Sequence, residues 1–264
     1  MTDYLRIERS GAVARVTLAR AEKHNAFDAA LIAELTAAFR SVGADTKARV
    51  VVLAADGKSF SAGADLNWMR ESALYAEAEN RADAEKLAAM LRALDTMPKP
   101  TIAAVQGPVY GGGVGLIAAC DIAVGSDAAI FSLSEVKLGL IPAVISPYVV
   151  RAMGMRRARR YALTGERFDA KVALESGLLH EMVPAEELDA RVTALATLLC
   201  EAAPAAQATV KALLRTVEGR AIDHDLNAET AKWIANARAG DEAREGIAAF
   251  LERRKPSWSN DGKK

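Results

Sequence analysis

The sequence has few residues of the kinds that crosslink a chain or hold a metal. Of its 264 residues only two are cysteines, Cys120 and Cys200, and only three are histidines. Two cysteines cannot form a disulfide framework, so we expect a protein of a reducing compartment. His24, His180 and His224 are scattered without ligand spacing, and neither cysteine has a Cys or His companion nearby. No metal site is therefore predicted.

An excess of either charge is also absent. The 34 Lys and Arg residues equal the 34 Asp and Glu residues, so the net charge is zero. This balance argues against a general binder of nucleic acid or of an acidic membrane surface. We therefore expect no nucleic-acid partner and no membrane partner.

No hydrophobic run is suited to targeting or to spanning a bilayer. The chain start lacks a basic segment followed by an apolar run, which argues against secretion. The longest uncharged stretch, residues 100–120, contains Pro108 and three consecutive glycines that would break a spanning helix. The expected location is the cytoplasm.

The first 130 residues alternate strand-like and helix-like segments. Residues 5–18 resemble a β-hairpin, and Asp28 can cap a helix with apolar positions at a 3–4 spacing. Residues 50–54 and 101–105 are short apolar runs, as expected of strands covered on both faces. A long helix should end before Pro98. Strands that alternate with helices predict an α/β fold with a largely parallel sheet.

After about Phe131 the periodic segments are nearly all helical. The helices are predicted over residues 147–163, 169–176, 186–202, 206–217, 224–238 and 241–254. We divide the chain into a core of residues 1–195 and a helical C-terminal region of residues 196–264. The tail from Pro256 is expected to fray.

A glycine-rich run, Gly111 to Ala118, lies between a predicted strand and a predicted helix. Glycines there allow close backbone approach, and free N–H groups at a helix start can bind an anion. Three interpretations remain open from these residues alone: tight helix–strand packing, an anion or oxyanion site, or a dinucleotide site. The last fits poorly, because the helix is short and the candidate acid, Glu135, lies beyond the next strand.

A second run of small residues, Ser61 to Asp65, follows the strand at residues 50–54. Taken alone it is most simply a plain loop. Two such turns at the ends of neighbouring parallel strands, however, could direct two backbone N–H groups at one oxygen. That arrangement is what an oxyanion hole requires.

Glu135 stands in mostly apolar surroundings, residues 130–142. A carboxyl group in such a setting has a raised pKa and can act as an acid or base near neutrality. The simpler alternative is a surface pair with Lys137. A Gly-x-Ser-x-Gly elbow is absent, and the isolated Ser134-x-x-Lys137 match is interpreted as chance.

These motifs, in their order and spacing, resemble the crotonase (enoyl-CoA hydratase/isomerase) superfamily from Val13 to about Trp258. The matching runs are Phe60-Ser61-Ala62-Gly63-Ala64-Asp65-Leu66, Gly107-Pro108-Val109-Tyr110-Gly111-Gly112-Gly113, Cys120-Asp121-Ile122-Ala123, Glu135-Val136-Lys137-Leu138-Gly139-Leu140-Ile141-Pro142, Leu163-Thr164-Gly165 and the segment from Glu245 to Lys255. The resemblance implies a spiral of ββα units with a C-terminal helical trimerisation region.

The resemblance also implies an acyl-CoA thioester as substrate and no separate cofactor, because coenzyme A is part of the substrate. By motif position, the backbone amides of Ala64 and Gly112 would form the oxyanion hole. The residues expected along the acyl and CoA cleft are Ala62, Asp65, Leu66 and Asn67, together with Lys23, His24 and Arg20, the last as a candidate phosphate partner.

One departure from the family concerns the catalytic acids. Family hydratases typically use two glutamates; Glu135 matches the second, but Gly115 stands where the first would be. The segment after Pro142 also lacks its usual glycines. Hydration therefore competes with isomerisation by Glu135 alone, and with a non-catalytic binding protein built on the same fold.

A subgroup resemblance favours hydration. The runs around Ala64 to Met69, Leu133 to Gly139 and Pro142 to Pro147 are similar to bacterial hydratases of branched, carboxylated enoyl-CoAs, such as methylglutaconyl-CoA and carboxygeranoyl-CoA. Family resemblance and the apolar positions Trp233, Ile234, Ile247 and Phe250 predict a homotrimer or hexamer.

Overall fold

The structure is a computed structural model that describes residues 4–260. Residues 1–3 of the predicted core and residues 261–264 of the predicted C-terminal region lie outside the described residues. Within residues 4–260, no helix combines the length and the apolar character needed to cross a membrane.

Nine strands form two sheets in the described part of the chain. They are β1 (Leu5–Ser10), β2 (Val13–Leu18), β3 (Val50–Ala55), β4 (Thr101–Val105), β5 (Val109–Tyr110), β6 (Ile122–Ser126), β7 (Ile130–Ser132), β8 (Arg167–Asp169) and β9 (Glu181–Val183). The main sheet has the order β1-β2-β3-β4-β6-β9, and the small sheet has the order β5-β7-β8. Only the β1–β2 hairpin is antiparallel in the main sheet, which confirms the predicted parallel α/β organisation.

Ten α-helices connect and cover these sheets in residues 4–260. They are α1 (Ala29–Ala44), α2 (Leu66–Ser72), α3 (Glu77–Asp95), α4 (Gly112–Ala119), α5 (Ser146–Thr164), α6 (Ala170–Ser176), α7 (Leu188–Cys200), α8 (Pro204–Val217), α9 (His224–Ala239) and α10 (Asp241–Leu251). Asp28 caps α1 as predicted, because its carboxylate accepts the Leu31 N–H at 2.8 Å.

The main sheet is buried on both faces, as its β-branched runs predict. Val51 and Leu53 of β3 face the larger core together with α1, α3 and α4, whereas Val50 and Val52 face α7. The alternation follows from the two-residue period of a strand. A sheet held rigid in this way provides fixed positions for the loops at its strand ends.

The second half of the chain differs from the sequence prediction in three respects. Three strands of three residues each, β7, β8 and β9, interrupt the predicted series of helices, because strands so short leave no readable periodicity. Helix α5 is broken at Gly154, whose φ of 71° and ψ of 155° are not helical. The predicted boundary between residues 195 and 196 falls inside α7, and that division of the chain stays a prediction.

The tail was expected to fray from Pro256, and for residues 257–260 this is wrong. They form a turn of 3₁₀ helix. The indole N–H of Trp258 donates to the Glu201 carbonyl at 3.1 Å, and Arg49 donates to the Trp258 carbonyl at 2.6 Å. Asp261 and Gly262, also part of the expected frayed tail, lie outside the described residues.

Candidate active site

A cavity of about 490 Å³ opens where the loops after β3 and β5 meet the segment that follows β7. Its walls are largely apolar, with a few polar groups. They comprise Phe27, Ala62, Gly63, Ala64, Leu66, Trp68, Met69, Ala84, Leu87, Tyr110, Gly111, Gly112, Ser134, Glu135, Leu138, Leu140, Ile141, Pro142, Ala143, Val144 and Ile145. An apolar cleft with few convergent polar groups is the usual form of a small-molecule site.

The two glycine-containing loops predicted to cooperate lie side by side. Ser61 and Val109 form an isolated parallel β-bridge, and the Tyr110 N–H donates to the Ser61 carbonyl at 2.9 Å. Gly63 has a φ of +85°, and a Cβ there would lie 3.2 Å from the Tyr110 carbonyl oxygen. The close approach of the loops therefore depends on glycine at this position.

Two backbone amides at this junction are free to bind a ligand. Phe27 donates its N–H to Gly63 and accepts the N–H of Asp65, both at 2.7 Å, so the intervening Ala64 N–H points to the other side of the chain. Gly112 is the first residue of α4, where a helical N–H has no internal acceptor. Within residues 4–260 neither the Ala64 nor the Gly112 N–H has a hydrogen-bond acceptor, and both residues line the cavity.

Glu135 places a carboxyl group next to these amides. It begins a short 3₁₀ helix, Glu135–Leu138, and its Oε1 would lie 3.0 Å from a Cβ at Gly111. Gly111 has a φ of +49°, so strain and contact both disfavour a side chain there. The resulting close packing of the carboxyl group against backbone limits its access to water.

The electrostatic setting of Glu135 suits proton transfer. Its Oε2 is buried and has no hydrogen-bond partner in the described part of the chain. Burial raises the pKa of Glu135 above the ordinary value of 4.5, and a backbone hydrogen bond only partly opposes this effect. A carboxyl group that ionises closer to neutrality can both accept and return a proton.

An aliphatic side chain from another part of the chain fills the space where the side chain of a first glutamate would lie. Gly115 is fully buried in α4, and a Cβ built on it would lie 2.3 Å from Cγ2 of Ile145. Ile145 is 2% exposed and lines the cavity. Gly115 therefore provides no acid, and Ile145 fills the space that a side chain at position 115 would need.

The predicted cleft residues near Ala64 divide into two groups. Ala62 and Leu66 line the cavity, Leu66 from an exposed position at its rim. Asp65 instead caps α2 by accepting the Asn67 N–H at 2.8 Å. The Asn67 side chain is exposed and accepts a hydrogen bond from Arg70. Asp65 and Asn67 thus order the loop and its helix without lining the cavity.

Arg20 is not placed in the cavity. Its guanidinium group is paired with the carboxylates of Asp28 and Asp65 and stacks 4.5 Å from the centre of the Tyr4 ring. Arg20 is only 9% exposed. A buried guanidinium group that already has two carboxylate partners is poorly suited to the predicted role of phosphate partner.

Lys23 and His24 lie on an exposed turn beside the same loop. Ring Nδ1 of His24 is 3.2 Å from the Ser59 hydroxyl oxygen, and the His24 carbonyl accepts the Ala62 N–H at 2.9 Å. This backbone link holds the turn against the loop that lines the cavity. Contact of Lys23 and His24 with a ligand stays a prediction.

Sequence reasoning did not assign three polar lining residues: Trp68, Tyr110 and Ser134. All three stand inside the family-like runs, and Ser134 immediately precedes Glu135, so their position was the available signal. The indole N–H of Trp68 is buried without a hydrogen-bond partner in residues 4–260. Leu87 also lines the cavity, but its helical spacing does not distinguish it from a core residue.

Comparison with known proteins agrees with this geometry. Residues 8–261 match the protein-family model described as enoyl-CoA hydratase/isomerase. The chain is 38% identical to "Enoyl-CoA hydratase ACTT6" of Alternaria alternata, over 92% of this chain and 80% of that protein. It is 34% identical to "Mevalonyl-coenzyme A hydratase sidH" of Aspergillus fumigatus, over 92% of this chain and 90% of that protein.

A solved structure shows the same fold. The crystal structure of an enoyl-CoA hydratase from Shewanella pealeana superposes with a TM-score of 0.94 at 47% identity, covering 97% of this chain and 96% of that one. The likeness confirms the expected crotonase-like architecture, a spiral α/β core followed by helices.

Proposed function

The chain is an enzyme of the enoyl-CoA hydratase/isomerase family, and from this premise we propose that it adds water across the 2,3 double bond of an enoyl-CoA thioester. One observation carries the proposal: Glu135, whose carboxyl group has a raised pKa, lines an apolar cavity together with two amides that have no acceptor within residues 4–260.

The two amides act on the thioester carbonyl. The N–H groups of Ala64 and Gly112 donate to the carbonyl oxygen and stabilise the negative charge that develops there when water attacks C3. Donors of this kind each lower the barrier by about 3 kcal/mol in a water-excluded site. Gly112 adds the positive end of the α4 dipole.

Glu135 performs both proton transfers. As a carboxylate it removes a proton from the attacking water, and as the acid so formed it returns that proton to C2 on the same face. A second carboxylate is unnecessary for proton balance, because the proton taken equals the proton given. The remaining task, to orient the water, is proposed for Ser134 and Tyr110, two hydroxyl-bearing residues that line the same cavity.

The acyl group is proposed to be branched, as in 3-methylglutaconyl-CoA. Sequence resemblance favours a branched and carboxylated acyl group, and the broad apolar wall of residues 138–145 supports the branch. For a terminal carboxylate, the described lining offers only neutral donors, among them the Trp68 indole N–H. An uncharged branched substrate, such as 3-methylcrotonyl-CoA, should therefore bind at least as well.

The reaction is proposed to need no cofactor, because water and the enoyl thioester together supply every atom of the product.

A cytoplasmic location is supported by the thiols: Cys120 and Cys200 are unpaired, and burial raises the pKa of the Cys120 thiol to about 12. Such a thiol is a packing residue without redox chemistry.

Isomerisation is the second candidate, and Gly115 favours it. Migration of a double bond requires one proton shuttle and no bound water, and Glu135 provides that shuttle in a cavity that the aliphatic Ile145 also lines. The two reactions differ in the atoms they add: hydration adds a whole water, whereas isomerisation conserves the formula.

The test is incubation in deuterated water with 3-methylglutaconyl-CoA, 3-methylcrotonyl-CoA and a 3-enoyl-CoA in parallel, followed by mass spectrometry. Hydration predicts a 3-hydroxyacyl product with solvent deuterium at C2. Double-bond migration alone, with no hydrated product from any conjugated enoyl-CoA, would replace the hydratase proposal by the isomerase one.

A further inference from the structure

A second, smaller cavity of about 260 Å³ lies directly behind the catalytic one, along α5. Its lining is almost entirely aliphatic. The residues are Leu133, Pro142, Ile145, Ser146, Val149, Val150, Met155, Ala158, Arg159, Ala162 and Leu163. Only Ser146 and Arg159 are polar, and both are exposed. An apolar cavity of about 150 Å³ already holds a benzene ring, so this one has room for several methylene groups.

The two cavities share a wall. Pro142 and Ile145 line both of them, so no other layer of side chains separates the two spaces at that point. Ile145 is one of the two residues of this wall, and it packs closely against Gly115. Without Cβ at position 115, Ile145 packs deep enough to lie between the cavities.

We propose that the second cavity binds the distal aliphatic tail of a longer acyl chain, and that Ile145 forms the constriction through which the tail passes. The inference rests on the proposed function, since the acyl-CoA must first occupy the catalytic cavity. The thin wall shared with that cavity and the uncharged inner lining both point to a hydrocarbon tail. The exposed side chains at its outer edge, Met155 and Leu163, would cover the tail end.

Binding of unreactive acyl-CoAs tests the proposal independently of catalysis. Butyryl-CoA and dodecanoyl-CoA are saturated and cannot be hydrated, so calorimetric titration measures affinity alone. Each methylene group removed from water raises affinity about 3–4-fold. We expect dodecanoyl-CoA to bind at least tenfold more tightly than butyryl-CoA.

Ala162→Phe fills the second cavity from a half-buried position on α5 and should lower the dodecanoyl-to-butyryl affinity ratio at least tenfold. The matched control, Arg156→Phe, adds the same bulk at an exposed position of α5 that lines neither cavity, and should keep the wild-type ratio. Ser146→Trp adds bulk at an exposed lining position and should also lower the affinity ratio. This second variant tests the tail site even if Ala162→Phe does not fold. Ile145→Ala should raise the ratio by widening the constriction.

Two results would overturn the tail site: a wild-type ratio near one, or an Ala162→Phe ratio equal to that of wild type. If the second result came with a change of molecular mass by light scattering, it would identify the cavity as a contact between copies of the chain. If the ratios behave as expected but no enoyl-CoA is hydrated, the tail site stands and the proposed reaction fails.

Discussion

Ile145 and Gly115 are packed so closely that neither position can be understood without the other. A Cβ built on Gly115 would lie 2.8 Å from Cβ of Ile145, nearer than non-bonded carbon atoms approach. The chain positions are 30 residues apart, one in α4 and the other immediately before α5. The absence of a first catalytic glutamate and the presence of an aliphatic wall are therefore one structural feature.

Gly115→Ala should destabilise the fold by about 1–3 kcal/mol, because the added methyl group overpacks a buried contact. Ile145→Ala leaves a cavity and should cost about 2–5 kcal/mol alone. In the double variant the new methyl group enters that space, so the combined loss should be at least 0.5 kcal/mol smaller than the sum. Urea unfolding measures all three values.

Gly43→Ala is the control for this cycle. Gly43 lies within α1, and a Cβ there meets only Cγ of Met97, at 3.4 Å. The substitution should stabilise the helix by about 0.5–1 kcal/mol. Strict additivity of Gly115→Ala and Ile145→Ala would contradict the proposed contact.

Glu135→Gln should reduce turnover about 10²–10⁴-fold while CoA-thioester binding survives, because the amide keeps the size of the side chain but cannot transfer a proton. Steady-state kinetics together with calorimetric titration check both parts. Glu71→Gln, at an exposed position of α2 outside the cavity lining, is the matched control and should retain normal turnover. Near-normal turnover of Glu135→Gln would refute the assignment.

The pH dependence of kcat/KM should report the raised pKa of Glu135. If the carboxylate is the base, activity falls as the pH drops through that pKa, so the acid limb should lie above pH 4.5. The limb should disappear from the residual activity of Glu135→Gln. An acid limb at or below pH 4.5 in the wild type would show that this carboxyl group is not the base.

Burial of Glu135 should also make the active site a source of instability. A carboxyl pKa that is higher in the folded than in the unfolded chain disfavours folding once the group is ionised. The penalty is complete above the folded pKa and absent below about pH 4.5. Glu135→Gln should therefore have the higher Tm at pH 8, and calorimetric scans should show the difference vanish towards pH 4. A difference independent of pH would contradict this account.

Arg20→Gln should lower the free energy of unfolding by about 3 kcal/mol, because it leaves the carboxylates of Asp28 and Asp65 without their buried partner. The control, Arg244→Gln, breaks an exposed pair with Asp241 and should cost less than about 1 kcal/mol. A phosphate-binding Arg20 would give the opposite result: weaker CoA binding at low salt with unchanged stability.

Self-association should depend on the last helix. Phe250 is 81% exposed on α10, and Ile247 on the same helix and Ile234 on α9 are also exposed, so contact with another copy of the chain would remove their apolar surface from water. We expect light scattering to give three or six times the chain mass of 28.0 kDa. Phe250→Asp should shift the mass towards the monomer, whereas Leu74→Asp, at an exposed loop position, should not. A stable wild-type monomer at micromolar concentration would reject the prediction.

Local patterns in the sequence determined the elements that depend on neighbouring residues. The β1–β2 hairpin, the Asp28 cap of α1 and the two-sided burial of β3 all follow from alternation, spacing and capping chemistry. The two glycine loops could be paired because parallel strands place their carboxyl ends at one edge of the sheet. Glu135 was recognisable from its apolar surroundings and its family-like run.

The tertiary structure alone decided which partners distant residues have. Arg20 is eight residues from Asp28 but 45 from Asp65 in the sequence. Only the fold shows that the Arg20 guanidinium group forms ion pairs with both carboxylates. Gly115 indicated a missing acid, yet the sequence did not predict that Ile145 fills the vacated space. Local propensity acts over one or two turns of chain, whereas packing and ion pairing depend on distance in space, which periodicity does not encode.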